Sequence, residues 1–319
     1  MNIIFQIDGG IGKSVAATAV CKAIKRHYPQ HKLLVITGYP EVFLCNPHVD
    51  KVYSFGNLNY FYKDNIEGQE VMTMLHNPYF DTEFINMRGH LIEVWCKMLG
   101  IAYNGEQPEL YITAAEHAQY GRNFLSQKPV MLLQTNGGAA GQGAGYSWAR
   151  DLPAGIAQTV VNTFAPHYHV VHIKRNDQPG LQNTTPLQAD FRAIAVLMTM
   201  SHKRLFIDSF CQHTAAAMGM PSVVCWVGNS PAQFGYAIHT NIVAKPPVTA
   251  PELRQAVFSR YNIAGTPTEC PYRHDGELFD ADAIVQAVLQ QPVPQQLPAH
   301  PLQPVAEGCE EMVQPAALN

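Results

Sequence analysis

Charge is scarce in this chain. Only 14% of its 319 residues are Asp, Glu, Lys or Arg, against the usual quarter. Such a surface must be polar through amides and hydroxyls, or be partly covered by a partner. Basic excess is missing too, with 21 Lys and Arg against 25 Asp and Glu and a net charge of −4. That leans against nucleic acid as a partner, whose affinity rests on phosphate contacts, and any anion site has to be a local arrangement. No apolar run approaches the ~18 residues of a membrane span. Ala215–Val227 comes closest, and Pro221 breaks it. The first residues do not read as a secretory signal, because they lack a basic start and Asp8 sits in the apolar segment. The seven cysteines form no C-x-x-C pair, and their odd number argues against a disulfide framework. The expectation is a reduced, cytoplasmic protein with no transmembrane segment.

What the chain does have is an ordinary apolar share of 47%, which excludes wholesale disorder. Its length suits two α/β domains of ~100–200 residues. Asn2–Ile7, Lys32–Thr37 and Lys51–Phe55 read as buried strands, with a helix over Ser14–His27 between the first two. Strand, helix, strand implies a right-handed parallel crossover and a doubly wound sheet. The stretch Gly56–Pro78 is irregular, and Tyr60, Phe61 and Tyr62 read as an aromatic surface. Gly89–Leu99 reads as a helix stopped by Gly100. Thr113–Ser126 reads as another, opened by the capping box of Thr113 and Glu116.

The pattern restarts at Lys128. Strands are expected at Pro129–Gln134, His169–Ile173, Leu205–Ile207 and Val223–Val227, and helices at Leu152–Phe164, Pro186–Met200 and His213–Met218. Asp280 caps a last helix, Ala281–Leu289. The reading divides the chain into a first domain over 1–128, joined by the helix at 280–290, a second over 129–279, and a Pro- and Gln-rich tail at 291–319 expected to be disordered.

Three loops carry candidate chemistry. Asp8-Gly9-Gly10-Ile11-Gly12-Lys13-Ser14 ends in Gly-Lys-Ser, but a phosphate-wrapping P-loop needs glycine where Ile7 stands, so a nucleoside-triphosphate kinase or ATPase is the weaker reading. What survives is a glycine turn into a helix N-terminus, which favours an anion, or a turn needing glycine only for its backbone angles. At Asp208-Ser209, an apolar strand passes through a polar turn into a helix of small residues, where ligands of open α/β sheets bind; Gln212 and His213 follow. The third is Gly137–Gly145 with Trp148 beyond it, read as a lid or a long surface loop. His167, His169 and His172 do not share one strand face, so no metal site is expected there. The acidic residues between Asp275 and Asp282 lack calcium-loop spacing.

With these residues placed, the chain up to about Leu289 resembles glycosyltransferase family 9, the ADP-heptose:lipopolysaccharide heptosyltransferases and their relatives. Ile11–Val20 is similar to the family's I-G-D turn and following helix, and Asn46–Val52 to its N-P-x-V-D-x-V element. Trp148 stands for the tryptophan that opens the first helix of the second domain. Asp208–His213 resembles D-S-G-P-x-H, and Gly228–Gly235 resembles G-P-T-D-P-x-x-x-G. The resemblance implies a GT-B fold of two Rossmann-like domains facing a cleft, the last helix crossing back to the first. It implies a nucleotide-sugar donor on the second domain, an acceptor on the first, and inverting transfer without metal or other cofactor.

Two departures stand out. The family's aspartate, its proposed catalytic base, is Lys13 here, and a family glycine is Phe210. Asp8 is the nearest replacement base, and Lys13 is expected to neutralise the leaving diphosphate. Gly10, Gly12, Asn136, Trp148, Asp208, Ser209, Gln212, His213 and Gly228 are the expected donor-binding residues. The expected activity moves a hexose or heptose from a nucleoside diphosphate to a hydroxyl of a glycan, a lipopolysaccharide-type molecule or another acceptor, at the inner membrane face or free in the cytoplasm. The alternative is an inactive nucleotide- or glycan-binding protein of the same fold.

Overall fold

The computed structural model describes residues 1–124, 126–138, 147–246, 270 and 272–292. The chain divides into two compact units, Met1–His117 and Ala118–Pro298. Most of the Gly137–Gly145 loop and nearly all of the expected tail lie outside the described residues.

The first unit holds a parallel sheet in the order β3-β2-β1-β4, with β1 (Asn2–Ile7), β2 (Lys32–Thr37), β3 (Lys51–Ser54) and β4 (Val71–Met74). Its first helix, α1 (Ile11–His27), is buried on almost every side. Alanines and a serine at 14, 16, 17, 19 and 23 give it a narrow waist, so neighbours approach closely. Short helices α2 (Phe61–Asn65) and α3 (Thr82–Ile85) follow, then α4 (Leu91–Met98). Trp95 of α4 is fully buried and meets Phe5 of β1 edge-on at 5.3 Å. Burial of a side chain that size contributes roughly 2–3 kcal/mol. Gly100 ends α4 at φ +69°, a conformation that glycine adopts without strain.

α5 (Ala114–Gly121) carries the predicted capping box: Glu116 N–H donates to Thr113 Oγ1 at 3.1 Å, and Thr113 N–H to Glu116 Oε2 at 2.8 Å. The division between the units falls within α5, ahead of the restart at Lys128.

The second unit holds a six-stranded parallel sheet in the order β10-β9-β8-β5-β6-β7. Its strands are β5 (Val130–Leu133), β6 (His169–Ile173), β7 (Thr185–Leu187), β8 (Lys203–Ile207), β9 (Val223–Trp226) and β10 (Thr240–Val243). This is the doubly wound order of a dinucleotide-binding sheet. The helices are α6 (Ala154–Phe164), α7 (Phe191–Met200), α8 (Phe210–Ala217), α9 (Pro231–Phe234), α10 (Asp275–Leu278) and α11 (Ala281–Gln290). Pro186, read from sequence as the start of a helix, lies in β7 instead. That short strand pairs with β6, and α7 starts at Phe191 behind the Asp190 cap.

One expectation is corrected here. The sequence reading joins the last helix to the first domain, whereas α11 packs on α6, β8 and β9. Ile284, Val285 and Val288 complete the second unit's core with Met131, Val160 and Leu205. Polar contacts lock it in place. Lys203 Nζ donates to the carbonyls of Leu289 and Gln291 at 2.9 and 2.7 Å, satisfying acceptors at a helix C-terminus, and Gln291 Oε1 accepts the Arg204 N–H at 3.0 Å.

Candidate functional site

In a parallel sheet all strands end on one edge, and ligands bind there where the winding direction reverses. The first sheet reverses between β1 and β4, the second between β5 and β8. Residues read from sequence as functional gather at both points.

Asp8 and the glycine turn follow β1, and Asn77 follows β4. Gly9 takes φ +95°, and Gly10 caps α1 without any side chain, so the first-turn N–H groups meet no capping oxygen. Lys13, one turn in, folds back. Its Nζ donates to Asp8 Oδ1 at 2.6 Å and to Asn77 Oδ1 at 3.0 Å, and it lies 4.9 Å from the Tyr79 ring centre and 5.2 Å from that of Trp95. Asn77 Nδ2 donates to Asp8 Oδ2 at 3.2 Å. Burial pulls the Lys13 ammonium below its ordinary range, and the contact with Asp8 offsets part of that. Lys13 is not extended as a P-loop lysine would be; its ammonium is buried and paired with Asp8. Asp8 itself stays half open to solvent with a fixed orientation. Asn77 was invisible in the sequence, since the strand before it was unread.

Beyond Gly56 the aromatics separate: Phe61 is buried edge-on against Tyr53 at 4.8 Å, while Tyr60 and Tyr62 are exposed.

In the second unit Asp208 and Ser209 follow β8, and Gln134 to Gly137 follow β5. Asp151, which sequence reasoning missed, organises the β5 loop. Its carboxylate accepts from Asn136 Nδ2 at 3.0 Å, the Gly137 N–H at 2.9 Å and the Ser147 N–H at 2.8 Å. Burial pushes its carboxyl up, and these N–H groups pull the other way. Asn136 is therefore buried and committed to the loop itself. Trp148 is half-buried against the core and meets Tyr272 edge-on at 6.3 Å, so it anchors the turn before α6. Gly228 joins that turn to the end of β9, its N–H donating to the Ala149 carbonyl at 2.7 Å.

Asp208 accepts from Asn229 Nδ2, which holds the carboxylate at the strand end. Ser209 precedes α8, but its side chain does not cap the helix. Gln212 is enclosed: its Nε2 donates to the Phe234 carbonyl at 3.1 Å. Gln212 thus ties α9 to α8. His213 is buried as well, with Nδ1 2.8 Å from the Tyr236 hydroxyl. Of the residues expected to bind a donor, Asp208 and Ser209 sit half-buried at the end of β8, and Gln212, His213 and Asn136 are buried. Among the described residues no three His, Cys, Asp or Glu converge as metal ligands, and no helix is long and apolar enough to cross a membrane.

No family model and no curated protein matches this sequence. Solved structures do match in fold. A glycosyl transferase of family 9 from Veillonella parvula is 14% identical with a TM-score of 0.62, over 90% of this chain and 95% of that one. ADP-heptose lipopolysaccharide heptosyltransferase II of E. coli is 13% identical with a TM-score of 0.58, over 90% and 99%. The iron-containing dodecameric heptosyltransferase TibC of enterotoxigenic E. coli, solved with ADP-D-β-D-heptose, is 13% identical with a TM-score of 0.63, over 90% and 75%. The chain has the GT-B-like α/β fold of these glycosyltransferases.

Proposed function

We propose that this protein is a glycosyltransferase that moves a sugar, of the heptose or hexose class, from a nucleoside diphosphate to an acceptor hydroxyl with inversion. The observation that carries the reading is the coincidence, in each unit, of chemistry-bearing residues with the point where the sheet reverses. The likeness in fold to enzymes that take ADP-heptose supports it over nine-tenths of the chain.

In this reading the second unit takes the donor at Asp208, Ser209 and the N-terminus of α8, and the first unit takes the acceptor. The acceptor oxygen attacks the anomeric carbon. Its proton passes to Asp8, and the bond from that carbon to the diphosphate oxygen breaks, leaving the electron pair on phosphate. The reaction asks for one base and for positive potential at the departing oxygens. Asp8 suits the first duty: Lys13 and Asn77 hold one lone pair on each oxygen, which leaves others open toward solvent. The uncapped N–H groups of Gly12 and its neighbours favour negative charge nearby.

The test is release of nucleoside diphosphate. Purified protein is incubated with ADP-heptose and with other nucleotide sugars, with and without glycan acceptors. Acceptor-stimulated release that falls by about 100-fold or more in Asp8→Asn supports the reading. Tight donor binding with no release on any acceptor would leave the protein a nucleotide-sugar binder instead.

A further inference from the structure

A diphosphate held at the end of β8 calls for a cation on the second unit itself. We infer that Arg150 is that group, acting with the Ser209 hydroxyl; the inference rests on the nucleotide-sugar reading above. Three loops meet at this point. Gly137 comes from the end of β5, Arg150 from the turn before α6, and Ser209 from the end of β8. A methyl group placed on Gly137 would lie 2.6 Å from Arg150 Cδ, 3.3 Å from its Nη1 and 3.5 Å from Ser209 Oγ. The arginine therefore crosses directly over the glycine, and its guanidinium and the serine oxygen flank one spot. A side chain at position 137 would have to displace the arginine.

The neighbouring cation is differently placed. Arg175 also reaches the β5 loop, but its Nε and Nη2 donate to Asp177 at 2.9 and 3.0 Å, and its Nη1 donates to the carbonyls of Gly137 and Gly138. Its charge is paired with Asp177, and four of its five N–H groups are engaged there and in holding the loop. Arg150 is exposed, and among the described residues no carboxylate lies within ion-pair distance of it. The carboxylate beside it in sequence, Asp151, turns to the three N–H groups already described. Ser209 likewise keeps its hydroxyl off the helix it precedes. A forked, permanently charged donor beside a free hydroxyl, at the sheet's reversal point, matches the oxygens of a diphosphate. Arg150 carries no proton in the reaction. It binds the phosphates and stabilises the charge that grows on them as the sugar departs.

Titration calorimetry tests this on the full chain, with ADP, UDP, GDP and CDP and their nucleosides as probes. For the diphosphate that wild type prefers, Arg150→Gln is expected to weaken binding by about tenfold or more, and to leave the matching nucleoside within about twofold. Arg150→Lys should keep part of the affinity, and the salt dependence of binding should flatten in the glutamine variant. Gly137→Ala, which displaces the arginine without removing it, should lose affinity in the same direction. Because Arg150 is exposed, the melting temperature of Arg150→Gln should match wild type. Unchanged diphosphate affinity in Arg150→Gln and Gly137→Ala, when wild type binds, overturns the role of Arg150 alone. A wild-type chain that binds none of the four diphosphates overturns the nucleotide-sugar reading, and this inference with it.

Discussion

Lys13 Nζ sits 2.6 Å from Asp8 Oδ1, yet the lysine side chain is 2% exposed and the aspartate 57%. The pair is thus lopsided: one charge is taken out of water and the other is not. The buried cation depends on its partner far more than the partner depends on it.

Unequal mutational costs follow from that asymmetry. Asp8→Asn leaves a desolvated ammonium with only neutral contacts, and should cost about 1–3 kcal/mol, less than a fully buried pair because Asp8 faces solvent. Lys13→Met removes the buried charge and keeps its volume, and should change stability by no more than about 1 kcal/mol. Urea unfolding of both variants checks the order. Equal losses would mean that the lysine is better solvated than its surroundings indicate.

The second prediction concerns Gly235. A methyl there would lie 2.7 Å from the Pro231 carbonyl oxygen and 3.0 Å from its Cα, and backbone cannot yield as a flexible side chain does. Gly235→Ala should push Tyr236 away from His213 and destabilise by roughly 1–3 kcal/mol. Tyr236→Phe, which deletes only the hydroxyl 2.8 Å from His213 Nδ1, should cost about 1 kcal/mol. Thermal melts rank the two, and the alanine variant should be the weaker.

Mild acid should act on the second unit. His172 and His239 are buried, and burial, the largest cause for each, brings both down to about 4. Lys174 lowers His172 further, whereas the bond from His239 to the Gln212 carbonyl works the other way. An unfolded histidine takes up a proton near 6.5 that the folded one refuses. Stability is therefore full above that pH, falls toward about 4 and levels off below it, by at most about 3 kcal/mol per histidine. Urea midpoints between pH 7 and 4 should fall less steeply in His172→Gln than in wild type.

Stronger acid should act on the first unit through Glu109. Its carboxylate is held by His48 at 3.5 Å, by Lys22 and by the Tyr111 hydroxyl at 2.8 Å, which bring it down to about 2 from 4.5 against the opposing effect of burial. A depressed carboxyl stabilises above its unfolded pKa, and that contribution is lost as pH falls from about 4.5 to about 2. After allowance for solvent screening it amounts to about 1–2 kcal/mol. Glu109→Gln should flatten the melting temperature across this window and leave the histidine window unchanged. A variant with the wild-type slope would place the acid response elsewhere.

Short-range pattern was enough for a good part of the fold. β1, β2 and β6 lie where their apolar runs do, because strands buried on both faces leave an unbroken hydrophobic signature. The Thr113 box and the Gly100 stop were legible for the same reason, since a cap is a contact between near neighbours. The edge strands β4, β7 and β10 were not, because half-exposed residues at a sheet's margin carry neither alternation nor a full apolar run. Composition and order along the chain, in turn, pointed to Asp8 and to the turn at Asp208. They were silent on what those groups touch. Asn77 meets Asp8 across 69 positions, Arg150 crosses Gly137 from another loop, and Lys13 turns inward to rings that no pattern brings near it. Such long-range meetings depend on how strands are ordered and layers packed. A residue's neighbours in the chain constrain its backbone, while its partners in charge and hydrogen bonding are chosen only once the sheet has closed around it.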